Sequence, residues 1–160
     1  MARIIEHDII QNVGLSALVL HKFVKTYSAT TDARSGPDLA IVMPVLPLLY
    51  HQKTLDSIHR KRFEGGFFNA IGDYREIPAG LQQRMEDMAH QTFMALNLAC
   101  QSDIIVYDRV SNELLPSNIP VTSSRYNNEI KGILSGADRL GYWFSTLPFE
   151  QVCIMLKLTF

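Results

Sequence analysis

Between Val13 and Tyr27 the chain is apolar on almost every side of a helix. Val13, Ala17, Leu20, Val24 and Tyr27 recur at helical steps, and Leu15, Leu18 and Phe23 widen the stripe. Such a helix must be wrapped by the rest of the fold or covered by a partner. A chain of 160 residues is long enough to supply that wrapping without a metal or a disulfide. It is expected to form a single domain over residues 1–160.

A second long helix is predicted over Tyr126–Phe144, where Tyr126, Ile130, Ile133, Ala137, Leu140 and Phe144 recur in a heptad-like rhythm. Ser123 and Ser124 are its candidate caps. Pro78 opens another, with Leu81, Met85, Met88, Ala89, Thr92, Phe93 and Leu96 on one side and an extent to about Leu98. Pro47 fits the first turn of a helix reaching about His59, and a short helix is expected over Phe67–Tyr74. Asp103–Asp108 and Leu114–Pro116, separated by Ser111-Asn112, read as a β-hairpin. The alternation Val152, Ile154, Leu156, Leu158, Phe160 predicts a last strand that could join it. Ser28–Pro37 reads as an exposed loop and the segment most prone to disorder. The fold class is mainly α with a small β-hairpin or sheet (α+β). From Pro47 to Leu115 the order of elements is winged-helix-like, with helices on either side.

The chemical inventory names no reaction. The glycines at 65, 66 and 72 belong to no GxxxxGK[ST] motif, and their expected role is a tight turn. The five histidines (7, 21, 51, 59, 90) include no HExxH and no metal-ligand spacing. Cys100 and Cys153 stand far apart in apolar surroundings and read as small buried hydrophobes. Asp103 and Asp108 flank one strand on opposite faces, a poor catalytic pair. No cofactor, metal or catalytic residue is expected. A formal net charge of −1 with no basic tail announces neither nucleic acid nor an anionic membrane. The longest apolar run, Leu39–Tyr50, holds two prolines and falls short of the ~20 residues needed to span a bilayer. Acidic residues stand where a signal peptide would have its apolar core. A cytoplasmic location is expected.

His59-Arg60-Lys61-Arg62 is the compact basic cluster. It falls where a helix should end, opposite the negative pole of the dipole. Arg60, Lys61 and Arg62 are also the candidates for contact with a phosphate or an acidic partner surface.

Three stretches, taken together, carry a resemblance. Asn12-Val13-Gly14-Leu15-Ser16-Ala17 through Phe23-Val24-Lys25-Thr26-Tyr27, then Leu46-Pro47-Leu48-Leu49-Tyr50-His51-Gln52-Lys53-Thr54, then Ala137-Asp138-Arg139-Leu140-Gly141-Tyr142-Trp143-Phe144 occur in that order. The chain resembles the middle component of bacterial three-component ABC systems of the Lamassu type. The resemblance implies a non-enzymatic adaptor in an anti-phage or anti-plasmid defence complex. Its partners would be an SMC-like ABC ATPase and an effector, an expected nuclease, with DNA reached only through the complex. The other readings are a winged-helix DNA-binding transcription regulator and a small enzyme of unrecognised type. A mixed rather than basic face on Leu81–Leu98 favours protein contact over DNA for a winged helix.

For an adaptor, the two apolar helices are the natural docking elements. Phe23, Tyr27, Tyr142 and Trp143 are the partner-interface candidates, because aromatic anchors dominate interfaces. The competing expectation is that both helices pack against each other in the core.

Overall fold

A computed structural model describes residues 12–31, 35–121 and 126–160. Helix α1 (Val13–Thr30) starts at Asn12, whose Oδ1 accepts the Leu15 N–H at 2.9 Å. It runs one turn past the expected end. Buried residues lie all round it, including Leu15, Ala17, Val19, Leu20, Phe23 and Val24.

The principal wrapper of α1 is α8 (Asn128–Thr146). Small residues let the two helices close up. A Cβ at Gly141 would stand 2.7 Å from the Phe23 carbonyl oxygen, so the glycine is what allows backbone to meet backbone. Thr26 Oγ1 donates to the Asp138 carboxylate across the same seam. The two long apolar helices therefore satisfy each other. Asn127 caps α8 by accepting the Ile130 N–H at 2.9 Å, and Ser123 and Ser124 lie outside the described residues.

Between them the chain makes short helices. Asp38 caps α2 (Leu39–Val42), and α3 (Val45–Leu49) follows Pro44. The helix expected from Pro47 to His59 is interrupted. His51 is extended, its Nδ1 meets Thr54 Oγ1 at 2.9 Å, and α4 (Gln52–Ile58) begins afresh. Tyr50 Oη and Ser16 Oγ share a hydrogen bond at 2.8 Å that ties this corner to α1. Gly65, at φ 68°, turns the chain into α5 (Gly66–Asp73). The helix expected from Pro78 is also divided, into α6 (Leu81–Asp87) and α7 (Ala89–Gln101), with Met88 out of helical geometry between them.

The hairpin is present: β1 (Ile105–Asp108) pairs antiparallel with β2 (Glu113–Pro116), Val106 facing Leu115 and Tyr107 facing Leu114. Among the described residues the sheet has these two strands alone. The expected last strand is corrected to a helix, α9 (Phe149–Leu156), which Pro148 precedes. Within that helix Val152 and Leu156, four apart, are buried, while Ile154 between them is 77% exposed. Helical spacing decides burial there, and the alternation in the sequence is incidental.

The exposed loop expected over Ser28–Pro37 is corrected at both ends. Ser28–Thr30 belong to α1, and Gly36 and Pro37 are buried. Pro37 O accepts the Leu114 N–H at 2.8 Å, so this segment covers the outer edge of β2. Asp32, Ala33 and Arg34 lie outside the described residues.

Candidate partner interface

The basic cluster is a continuation of α4. His59 N–H donates to Leu55 O at 2.9 Å, and Lys61 N–H to Ile58 O at 3.0 Å. Helix α8 then fixes its backbone from the side. Ser135 Oγ donates to His59 O at 3.0 Å, Arg139 Nε to Lys61 O at 2.6 Å, and Arg139 Nη1 to Ser135 Oγ at 2.6 Å. Lys61 is occupied by an ion pair with Asp73 of α5. Arg60 and Arg62 are exposed, and among the described residues no carboxylate pairs with either. Two exposed guanidinium groups thus sit on a backbone that α8 holds at His59 and Lys61.

Phe63 follows directly. The Arg139 guanidinium lies 4.8 Å from its ring centre, and Tyr142 meets the ring edge-to-face at 5.5 Å. Trp143 Nε1–H donates to Phe63 O at 2.6 Å. Next to this contact is a shallow groove of about 180 Å³, lined by Phe63, Phe67, Phe68, Tyr142, Trp143 and Leu147 among others. Phe68 stands 50% exposed at its side. The geometry is an apolar groove whose wall also carries the exposed Glu64, with Arg62 next to Phe63 in the chain, suited to a partner segment with an apolar anchor.

Of the four aromatic candidates, Phe23 and Trp143 belong to the core. Phe23 is fully buried and Trp143 is 2% exposed. They are links in a run of ring contacts from Tyr27 to Phe23, Phe144, Phe67 and Trp143, with centres 5.7–6.0 Å apart. The expectation that these two side chains face a partner is corrected, because α1 and α8 enclose one and α5 and α8 the other. Tyr27 and Tyr142 are half-buried. Tyr142 and Trp143 meet Phe63, the residue after Arg62, and Tyr27 does not line that groove. Sequence reasoning missed Phe63, Phe68 and Arg139. The first follows the basic cluster immediately, which was the available signal.

Other candidate groups have structural occupations. Burial pushes the Cys100 and Cys153 thiols up from their ordinary range, away from the reactive thiolate. Asp108 Oδ1 accepts the Val110 N–H at 2.9 Å in the hairpin turn, which holds its carboxyl below its ordinary range. Among the described residues no three of His, Cys, Asp and Glu converge, and no helix is long and apolar enough to cross a membrane.

A family model described as ABC-three component (ABC-3C) system Middle Component 3 matches residues 2–160. Comparison with curated proteins and with solved structures gives no match.

Proposed function

This chain belongs to the Middle Component 3 family of ABC-three component systems, and we propose that it serves there as a non-enzymatic adaptor. In this reading it joins an SMC-like ABC ATPase to an effector, a nuclease, in a cytoplasmic anti-phage or anti-plasmid complex of the Lamassu type. Family membership over nearly the whole chain is the observation that carries the proposal. The apolar groove that begins at Phe63 supports it, and we assign that groove and the neighbouring exposed Arg60 and Arg62 to a partner.

A winged-helix regulator draws less support. On α6, Gln82 Nε2 donates to Glu86 and Gln83 Nε2 to Asp87, both at 2.9 Å. A face whose polar groups pair with one another, carboxylates included, is a poor reader of phosphates and bases. DNA is therefore reached through the complex rather than by this subunit.

The test is co-expression with the products of the neighbouring genes, an ATPase and an effector in this reading, followed by capture through a tag on this chain. Both should be retained. The exposed charge reversals Arg60→Glu and Arg62→Glu, made together, should release one partner while leaving the melting curve unchanged. Retention of both partners by the double variant would remove Arg60 and Arg62 from the interface. Capture of neither partner by the unaltered chain would remove the adaptor reading itself.

A further inference from the structure

A guanidinium is left incomplete on α6. Arg84, on α6, donates from Nη1 to Ala79 O at 3.1 Å. Its Nε and Nη2 are shielded from solvent and have no hydrogen-bond partner. Together these two nitrogens form the edge of the guanidinium that grips two oxygens at once. Buried donors left unpaired are costly and rare in native proteins, so this edge calls for an acceptor.

Ala79 is also part of the wall of an open cavity of about 460 Å³, together with Tyr50, His51, Lys53, Tyr74 and Glu76 among others. The polar groups of that wall are not equally free. Tyr50 Oη is shared with Ser16, and Tyr74 Oη donates to Glu76 at 3.3 Å. His51 Nδ1 is engaged with Thr54, which leaves Nε2 uncommitted. Lys53 is exposed, with no carboxylate paired to it among the described residues. Cations outnumber carboxylates here: Lys53 and the adjoining Arg84 stand against Glu76 alone. The field is felt by His51, whose pKa is lowered by burial first and then by Arg84 and Lys53.

We propose that this cavity binds a phosphate group, with the free Nε/Nη2 edge of Arg84, which lies behind the Ala79 wall, brought in to meet it. Turning that edge inward exchanges the Nη1 bond to Ala79 for two bonds to phosphate oxygens. Lys53 supplies the second charge and His51 Nε2 a further donor. A dianion with four oxygens uses all three, whereas a carboxylate has two oxygens and leaves part of the set unmet. The inference is independent of the adaptor reading.

The experiment follows the His51 ring signals and the Arg84 Nε signal by NMR in the full chain while phosphate is added. Inorganic phosphate and adenosine monophosphate form two arms, and acetate and chloride serve as controls at equal ionic strength. Saturable shifts at both residues are expected with phosphate and not with the controls. Arg84→Lys keeps the charge and removes the two-nitrogen edge, and should weaken binding roughly tenfold or more. Tighter binding of the nucleotide would identify a phosphate ester as the natural occupant, and equal binding a free phosphate. If Arg84→Lys proves unfolded by its melting curve, the exposed variant Lys53→Ala decides, with a severalfold loss expected. No saturable shift, or the same shift with acetate, would overturn the proposal.

Discussion

The indole N–H of Trp143 and the backbone carbonyl of Phe63, 80 positions apart, meet at 2.6 Å. That bond fastens the segment after the basic cluster to α8. With the Arg139–Lys61 bond one turn earlier, it ties the backbone on either side of Arg62 to α8. Trp143 thereby anchors the segment that carries Arg62 and Phe63, and it also forms part of the groove wall.

Trp143→Phe tests this coupling. The variant keeps most of the ring but leaves a buried carbonyl without its donor, which costs about 1–3 kcal/mol. Chemical denaturation followed by circular dichroism should show the loss. An unchanged midpoint would mean that water replaces the indole and that the segment is held by Arg139 alone.

Two glycines of α8 should respond to alanine with opposite signs. At Gly141 the new methyl meets Phe23 O at 2.7 Å and Tyr27 N at 3.1 Å, both backbone. The helices must part, at a cost of about 1–3 kcal/mol. At Gly132 nothing lies within 4 Å, so only helix propensity acts and alanine stabilises by roughly 0.5–1 kcal/mol. Melting curves for the two single variants check both signs, and destabilisation at Gly132 would contradict the open space there.

The elements whose local pattern agrees with their packing could be read from the sequence. The all-round apolar character of Val13–Tyr27 and the rhythm of Tyr126–Phe144 lead directly to α1 and α8, because burial there follows helical spacing. The C-terminal segment misleads because two patterns overlap in it. Val152, Ile154 and Leu156 alternate as in a strand, yet Phe149, Val152, Cys153 and Leu156 also fit helical spacing. Pro148 before them and Glu150 in the first turn favour the helix. The interface could not be read in the same way. Phe23 and Trp143 are strong interface residue types, but residue type does not say which apolar side chains a fold keeps for itself. The Arg139 bonds depend on long-range packing, which no local pattern reports.

His21 predicts an acid response. It is buried on α1, and burial, with Lys25 and Lys22 nearby, lowers its pKa below the ordinary value near 6.5. The unfolded chain therefore takes up this proton first. Stability contributed by the neutral imidazole is present above pH 6.5 and is lost as pH falls through the folded value. Melting temperatures measured from pH 7 down to 5 should decline, and less so in His21→Gln. Parallel curves for the two proteins would show that other groups set the acid limit.

Tyr50 acts at the other extreme. Burial pushes its phenol up to about 12 from an ordinary value near 10, against the opposing effect of its bond to Ser16. Stability from the neutral phenol is present below pH 10 and is lost as pH rises toward about 12. Tyr50→Phe should flatten this alkaline decline without abolishing it, since burial raises Tyr27 as well. An alkaline slope identical in the variant would assign the decline to Tyr27 instead.

Gly36 governs the one place where an irregular segment completes the hairpin. An added Cβ there would lie 1.9 Å from Leu114 O, an overlap that only backbone movement relieves. Gly36→Ala should therefore lift Ser35–Pro37 off β2, breaking the Leu114 N–H bond to Pro37 O and the contacts of Ser35 Oγ and Gly36 N–H with the Glu113 carboxylate. Successive N–H groups of a strand point to opposite sides. Leu114 faces Pro37, so Glu113 and Leu115 face β1. Hydrogen exchange should quicken at Leu114 and stay slow at Leu115, with a stability loss of about 1–3 kcal/mol. The bared edge of β2 would also make the variant more prone to self-association, since an unpaired strand edge accepts other chains. Unchanged exchange at Leu114 would show that the segment accommodates a methyl and does not seal the edge. Equal acceleration at both amides would show that two strands alone are too few to hold together, and that residues 35–37 stabilise the hairpin itself rather than shield it.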